Sequence, residues 1–356
     1  MQVPDSEQLT TGRLGRVFDK TVATYKFFWF LSIMQEHAGT GNLRMDVWEL
    51  VIRMVANAWY PIHYFRLSFG KSDSLFEIVT ELQKETRLPI DANWKTIIEE
   101  LRARLNESSI RSRLRVLSLN VPYRFLRPWI NTSDDREIIR RSQTFENGCL
   151  YALHKDRKSF CLELNPAWDS YLHTHYGILV DFAYWNFVQF LQVRNPNVPA
   201  IPNKLIKPKE RTLLVAQHRY WDTVMQIAGA VDCIYTGRRL HPGGYELDHF
   251  IPWSFVSHDL LWNLIPVDGC VNSSKSDRLP DLNHYLPKMA SLQYYSLRAY
   301  LGACKDARIL EDYLSLGYTP RELMLMGEDR FLDLYKRTFE PMSQIALNIG
   351  FETWKY

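Results

Sequence analysis

The sequence predicts a mainly α fold with a small α+β part. Apolar residues recur at three- and four-residue steps through most of the first hundred residues and again after residue 290, which is the spacing of one helix face. Short apolar runs bounded by polar turns lie around residues 149–164 and 230–267, and such runs are typical of strands. The 46% apolar and 23% charged residues are typical of a folded globular protein, and the length of 356 residues predicts two or three domains.

The first module, residues 1–105, is predicted to be helical. One apolar face consists of five residues at helical spacing: Trp48, Val51, Ile52, Val55 and Trp59. We expect this helix to stop before Pro61, because proline lacks the N–H that a helix interior uses. A second helix is predicted over residues 74–86, and Asp91 is expected to cap a third.

The second module, residues 106–200, is predicted to be mixed. Apolar runs at 149–153 and 159–164 flank the polar residues 154–158 and indicate a β-hairpin, with an apolar helix following over 176–191. Residues 193–208 contain four prolines, which is typical of a stiff linker and places the main domain boundary there.

The third module, residues 201–290, is predicted to begin with a helix over 211–229 and to contain strands near 230–240 and 245–252. A helical C-terminal region, residues 291–356, is expected to break at Gly317 and Pro320. The middle of the third module therefore holds the α+β part of the chain.

Composition argues against several classes of protein. The net charge is +3, so any affinity for nucleic acid must come from local patches. The five cysteines are scattered without a CxxC pair, which argues against a disulfide framework and favours a cytoplasmic location. Residues 1–10 lack the pattern of a signal peptide, and the apolar run 25–34 is too short to cross a bilayer, so no membrane partner is expected.

The most informative segment contains five polar residues in a fixed order. Asp248 and His249 are followed by Asn263, then by Asn272 and Lys275. Hydrolysis of a phosphodiester requires a base for water, neutralisation of charge on the phosphate and stabilisation of the leaving alkoxide. Histidine suits the first task because its pKa lies near neutrality. A hard divalent ion held by oxygen ligands suits the other two.

The spacing of these residues predicts how they are arranged. Adjacent residues on a strand point to opposite faces, so Asp248 and His249 are expected to have separate roles. Asn272 is expected to open the next helix, with Lys275 on the same face, and a helix start favours a nearby phosphate. The predicted order is strand, loop, strand, helix around one site.

This segment resembles the HNH endonuclease family, whose ββα-metal motif has the same order of elements. The resemblance covers residues 225–285. It implies that His249 is the general base that activates water and that Asp248 coordinates a metal ion. It also implies that Asn263 ties the loop to the backbone and orients the base.

The same resemblance makes Asn272 the second metal ligand, in place of the family's last histidine, which defines an HNN variant. Lys275, with Arg278, is implied to contact a nucleic-acid phosphate. One divalent ion is implied, with Mg²⁺ or Mn²⁺ favoured and Zn²⁺ or Ni²⁺ left open. A structural zinc is not expected, because the positions of the family's second cysteine pair hold Asp268 and Val271.

A second basic feature lies between residues 101 and 144, a segment that contains ten arginines, no lysine and four acidic residues. Aromatic residues interleave with Arg124 and Arg127, and arginine suits phosphate contacts and stacking on bases. We therefore predict that Arg124 and Arg127 bind nucleic acid. A solvated helix face with internal ion pairs is an equally good interpretation of this charge run.

The predicted function is a metal-dependent HNH endonuclease that hydrolyses phosphodiester bonds in DNA, by analogy a bacterial restriction or phage-defence effector with a protein partner. Two alternatives stay open: a catalytically silent module that binds nucleic acid or protein, and an RNA nuclease toxin. His249 alone would fit a structural histidine, and Asn263 or Asn272 a loop or cap residue. Their order along one segment gives the nuclease interpretation its weight.

Overall fold

The computed structural model describes residues 2–156, 159–206 and 213–356. These residues form two compact units. The first unit comprises residues 2–196 and 201–206, and the second comprises residues 197–200 and 213–356. Helix accounts for 59% of the structure and the sheets are few and small, so the predicted mainly α class with a small α+β part is confirmed. The division into four modules at 105, 200 and 290 stays a prediction.

The first unit contains ten α-helices, three short 3₁₀ helices and three strands among its described residues. The helices are α1 (Thr11–Leu14), α2 (Tyr25–Thr40), α3 (Val47–His63), α4 (Ser74–Thr86), α5 (Trp94–Ala103), α6 (Ser108–Ser118), α7 (Val121–Arg124), α8 (Asp135–Ser142), α9 (Asp169–Thr174) and α10 (Tyr176–Arg194). The strands are β1 (Arg44–Asp46), β2 (Tyr151–Lys155) and β3 (Phe160–Leu164).

Helix α2 lies at the centre of the first unit. It is apolar around most of its circumference, as expected of a helix that is covered on all sides, and it packs against α3 and α10. Its fully buried residues include Phe27, Phe28, Trp29 and Phe30. The aromatic residues of this segment therefore form core and are not surface stacking platforms.

Two predictions about helix ends in the first unit are wrong. Helix α3 runs through Pro61 to His63. Pro61 lies in the last turn, where its missing N–H forfeits one bond, and its own burial offsets that loss. The third predicted helix is capped by Asn93, whose side chain accepts a hydrogen bond from the Lys95 amide at 2.9 Å, and not by Asp91.

The predicted β-hairpin is confirmed. Strands β2 and β3 pair antiparallel, with Leu153 opposite Leu162, and β1 pairs with the other edge of β3 to give the order β1-β3-β2. Arg157 and Lys158 of the predicted turn lie outside the described residues.

The second unit contains the remaining elements. Its helices are α11 (Val215–Ala228), α12 (Trp253–Val256), α13 (Gly269–Lys275), α14 (Leu282–Ala303), α15 (Pro320–Leu325) and α16 (Glu328–Asn348). Its strands are β4 (Val231–Asp232), β5 (Arg239–Leu240), β6 (Glu246–His249), β7 (Leu264–Val267), β8 (Leu279–Pro280) and β9 (Thr353–Trp354). Residues 207–212, which include the end of the predicted linker and the start of the helix predicted for 211–229, lie outside the described residues.

The strand–loop–strand–helix order predicted for the second unit is confirmed. Strands β6 and β7 pair antiparallel, with Asp248 opposite Ile265 and His249 opposite Leu264, and α13 follows directly. The predicted break is also present, since Gly317 has a φ of 86° at the end of a 3₁₀ segment and Pro320 opens α15.

The C-terminal helices share one hydrophobic core with the ββα elements. Phe250 and Trp262, which flank the loop between β6 and β7, each contact Phe339 of α16 edge-on at 5.5 Å. Gln293 of α14 donates to the Leu264 carbonyl at 2.9 Å. Helices α14 and α16 therefore pack against the β6–β7 sheet and support it. Across the described ranges, every helix falls short of the length and apolar character that a bilayer span needs.

Candidate active site

Strand β6 directs Asp248 and His249 to different surroundings, as alternation along a strand requires. Asp248 is buried, with 3% of its surface exposed. Its Oδ2 accepts a hydrogen bond from the Tyr235 hydroxyl at 3.0 Å, and its Oδ1 lies 2.8 Å from the Lys275 ammonium. The carboxylate is therefore fixed in orientation by one neutral and one charged donor.

Tyr235 donates its hydroxyl proton in a hydrogen bond to Asp248 because the phenol stays neutral in this site. Burial, and then the charge of Asp248, raise the pKa of Tyr235 far above its ordinary value, so the phenol keeps its proton and acts as the donor. Tyr235 precedes Asp248 by thirteen residues in a segment without regular structure. This contact is not predictable from the sequence, because a lone tyrosine carries no signal of it.

Lys275 is fully buried at the last position of α13. Its ammonium also donates to the His249 carbonyl at 2.7 Å, so a single cation holds α13 against both residues of the Asp248–His249 pair. The predicted phosphate contact of Lys275 stays a prediction, and in this structure the ammonium faces the protein interior.

His249 is partly accessible, with 13% of its side chain exposed. Its Nε2 lies 2.9 Å from Oδ1 of Asp259, a residue of the loop between α12 and β7. A carboxylate accepts hydrogen bonds, so this contact assigns the proton of neutral His249 to Nε2 and leaves the lone pair on Nδ1. Asp259 is not predictable from the sequence as a partner of His249, since it is an ordinary acid in a loop whose path the sequence does not define.

Asn263 forms a two-way link between the two strands. Its fully buried side chain accepts from the Ile251 amide at 2.9 Å and donates to the Ile251 carbonyl at 2.9 Å. Its own carbonyl accepts from the Phe250 amide at 2.9 Å. The loop that leaves β6 is thus tied to the start of β7, as the resemblance implies, while a part of Asn263 in catalysis stays a prediction.

Helix α13 begins three residues earlier than the sequence suggested. It starts at Gly269 and is capped by Asp268, whose carboxylate accepts from the Cys270 amide at 3.1 Å. The expectation that Asn272 opens the helix is therefore wrong, because Asp268 already caps the helix start four residues earlier. Asn272 lies inside α13, and its amide nitrogen donates to Oε2 of Glu246 at 2.8 Å.

Glu246 adds a second carboxylate to this face of β6. It stands two residues before Asp248, so the two side chains lie on the same side of the strand. Glu246 is exposed and fixes the Asn272 amide by accepting its N–H. Glu246 is not among the site residues predicted from the sequence, although its i, i+2 spacing to Asp248 on a predicted strand is a usable signal.

The oxygen donors here fit a divalent cation in their chemistry. Asp248 uses one acceptor position on each oxygen, and a carboxylate offers about four. Because the Asn272 nitrogen faces Glu246, its Oδ1 points away from that contact and is available as a ligand atom. Within residues 2–156, 159–206 and 213–356, no three His, Cys, Asp or Glu side chains converge as a metal site, so an amide oxygen is needed to complete a set. Hard oxygen donors with remaining positions open to water are typical of Mg²⁺ sites.

The remaining predicted binding residues lie in different settings. Arg278 donates to the Lys275 carbonyl at 3.4 Å and to the carbonyl of Ser274, which holds its guanidinium at the end of α13. Arg124 and Arg127 belong to the first unit, where both are exposed and line a cleft. Nucleic-acid contacts of these three arginines stay predictions.

Comparison with known proteins agrees with this arrangement. Residues 233–281 match the family model described as HNH endonuclease, which confirms the resemblance drawn from the sequence and identifies this segment with a family of nucleases. No curated protein and no solved structure matches the chain significantly. The matched residues run from just before Tyr235 to just beyond α13 and so include Asp248, His249, Asn263 and Asn272.

Proposed function

We propose that the second unit, whose residues 233–281 match the HNH endonuclease family, is a metal-dependent endonuclease that hydrolyses phosphodiester bonds in DNA. The observation that carries the proposal is the convergence on β6 and α13 of an acid, a histidine and an amide in the family's order. A role in restriction or phage defence, with a protein partner, belongs to the same proposal and rests on family analogy alone.

In this proposal His249 is the general base. The Asp259 carboxylate, 2.9 Å from Nε2, orients the imidazole and stabilises the cation that forms when Nδ1 takes a proton from water. With 13% of its side chain exposed, His249 is close enough to solvent for a water to reach it. Its position is set from the other side by the Lys275 bond to its carbonyl.

Asp248 and Asn272 would hold the metal ion, and Glu246 would orient the Asn272 amide so that its oxygen is presented. When bound, a divalent ion neutralises charge on the phosphate and stabilises the leaving oxygen. Carboxylate and amide oxygens favour Mg²⁺ or Mn²⁺. Lys275 holds the Asp248 carboxylate in place, because its ammonium lies 2.8 Å from Oδ1.

The test is cleavage of plasmid DNA, single-stranded DNA and RNA by the purified chain, with Mg²⁺, with Mn²⁺ and with EDTA. We expect metal-dependent cutting of DNA and a loss of about 100-fold or more in rate for His249→Ala. His241→Ala is the matched control, since His241 is exposed on the loop before β6 and is expected to leave the rate unchanged.

Three results would contradict the proposal in different ways. Equal rates for the parent and His249→Ala would remove His249 as the base. Cutting of RNA alone would replace DNA by RNA as the substrate. A chain that cuts none of the three substrates but still binds one would favour the catalytically silent module.

A further inference from the structure

A cleft in the first unit has a composition that the proposed nuclease function does not explain. Its volume is about 790 Å³, which lies within the range of small-molecule sites. Its walls come from the segment before and at the start of α2 and from the residues in and after α7. Five cationic side chains line it against one carboxylate: Arg16, Lys20, Lys26, Arg124 and Arg127, with Asp19.

Four of these cations lack a compensating partner. Arg16, Lys20, Arg124 and Arg127 are exposed at the cleft, and in the described part of the chain no side chain forms an ion pair or hydrogen bond with their charged groups. This differs from other arginines of the first unit. Arg104 and Arg141, for example, each bind glutamate carboxylates.

Lys26 shows that the positive charges act on one another. It is half-buried, and its ammonium donates to the Val17 carbonyl at 2.7 Å. Burial, and then the charge of Arg127, lower the pKa of Lys26 to about 8, with Asp19 opposing and Arg124 adding to the effect. The cleft therefore holds mutually repelling charges in a partly desolvated place, a state that an anion would relieve.

We propose that this cleft binds a small, multiply charged phosphate ligand of the nucleoside triphosphate class. Guanidinium groups bind phosphate oxygens in pairs, and the convergence of five cations on one cleft suits a compact polyanion better than a linear strand. Val121 and Pro128 supply an apolar wall for a base, and Asn120 and Asn131 supply polar groups beside it. In this proposal Arg124 and Arg127 bind a small phosphate ligand, whereas the sequence predicted that they bind a nucleic-acid strand.

The test is isothermal titration calorimetry of the full chain with ATP, AMP and inorganic phosphate in EDTA, which keeps a metal-dependent nuclease silent. We expect ATP to bind, AMP to bind more weakly because it carries fewer phosphates, and added salt to weaken both. The double variant Arg124→Gln/Arg127→Gln should lower ATP affinity by about tenfold or more. These side chains are exposed and unbonded, so thermal unfolding should be unchanged.

The matched control is Arg136→Gln/Arg140→Gln, which removes the same charge from exposed positions on α8 outside the cleft. It should leave ATP affinity within about twofold of the parent, a difference well under 1 kcal/mol. An absence of ATP binding at millimolar concentration would overturn the proposal, as would an equal loss of affinity in the control. A short single-stranded DNA that displaced ATP at lower concentration would also overturn it in favour of a strand site. None of these results depends on whether the second unit cuts DNA.

Discussion

The Lys275 ammonium lies 2.8 Å from Oδ1 of Asp248, with 0% and 3% of the two side chains exposed. A lysine in a buried ion pair contributes to stability differently from an exposed lysine that binds phosphate. Removing one partner leaves the other charge uncompensated in the interior, which costs far more than a surface contact is worth. The buried pair therefore favours a structural role for Lys275 over the phosphate contact that the family resemblance implies.

Lys275→Met is expected to lower the free energy of unfolding by about 3–5 kcal/mol, because Asp248 loses its buried counter-charge. Urea unfolding of the parent and the variant measures the change. Lys305→Met, at an exposed position, is the control and should differ from the parent by less than about 0.5 kcal/mol. A variant that keeps its stability but binds DNA more weakly would support the phosphate contact instead.

Asp259→Asn is expected to lower the single-turnover rate of cleavage by about 10- to 100-fold with little change in DNA affinity. The amide can no longer favour the imidazolium that forms during proton transfer, although it retains the shape of the carboxylate. Asp333→Asn, on the exposed face of α16, should cleave at the parental rate. An unchanged rate in Asp259→Asn would mean that the contact with His249 has no part in catalysis.

Asn263→Ala is expected to destabilise the second unit by about 1–3 kcal/mol for each of the two Ile251 backbone groups that it leaves unpaired. Asn263→Asp should also destabilise, since it places an oxygen against the Ile251 carbonyl where the amide donated. Thermal unfolding checks both variants against Asn283→Ala, an exposed position near the start of α14. Melting curves that coincide for all three variants would contradict a stabilising role for the Asn263 hydrogen bonds to Ile251.

The first unit is expected to lose stability in mild acid through His63. Burial lowers the pKa of His63 to about 4 from the ordinary 6.5, so between these values the unfolded chain binds the extra proton. The contribution of neutral His63 to the free energy of unfolding is fully present above pH 6.5 and is lost as the pH falls toward 4. Urea unfolding across this window should show a steeper fall for the parent than for His63→Gln, with His173→Gln, at an exposed site, as the control. Equal slopes for the parent and His63→Gln would contradict the prediction.

The sequence predicted those parts of the site that depend on local order along the chain. Asp248 and His249 on one strand, and Asn263 tying the loop, follow from spacing within a short segment. The contacts of Tyr235 and Asp259 were not predictable, because each depends on how a loop folds back toward β6 in three dimensions. The spacing of Glu246 to Asp248 places both on one face of the strand, but its contact with Asn272, 26 residues later, depends on how α13 packs. The sequence pattern indicates where a helix or strand lies, whereas tertiary packing decides which side chains contact one another.

Lys275 illustrates the same limit from the opposite direction. Its position on the face of α13 that carries Asn272 was predictable from helical spacing, but its burial was not. A lysine at such a position faces solvent unless a buried carboxylate pairs with it. The carboxylate that pairs with Lys275 belongs to Asp248, 27 residues earlier in the chain, so helical spacing alone does not reveal it. Asp268 shows why the helix start was misplaced, since an aspartate before a glycine is also typical of a turn.

Strand β9 contacts residues that support the candidate active site. Trp354 pairs alongside Pro280, donates from its indole to the Ser274 hydroxyl at 3.2 Å and packs edge-on against Tyr235 at 5.1 Å. A mechanical pull on these last residues would therefore be transmitted to α13 and, through Tyr235, to Asp248.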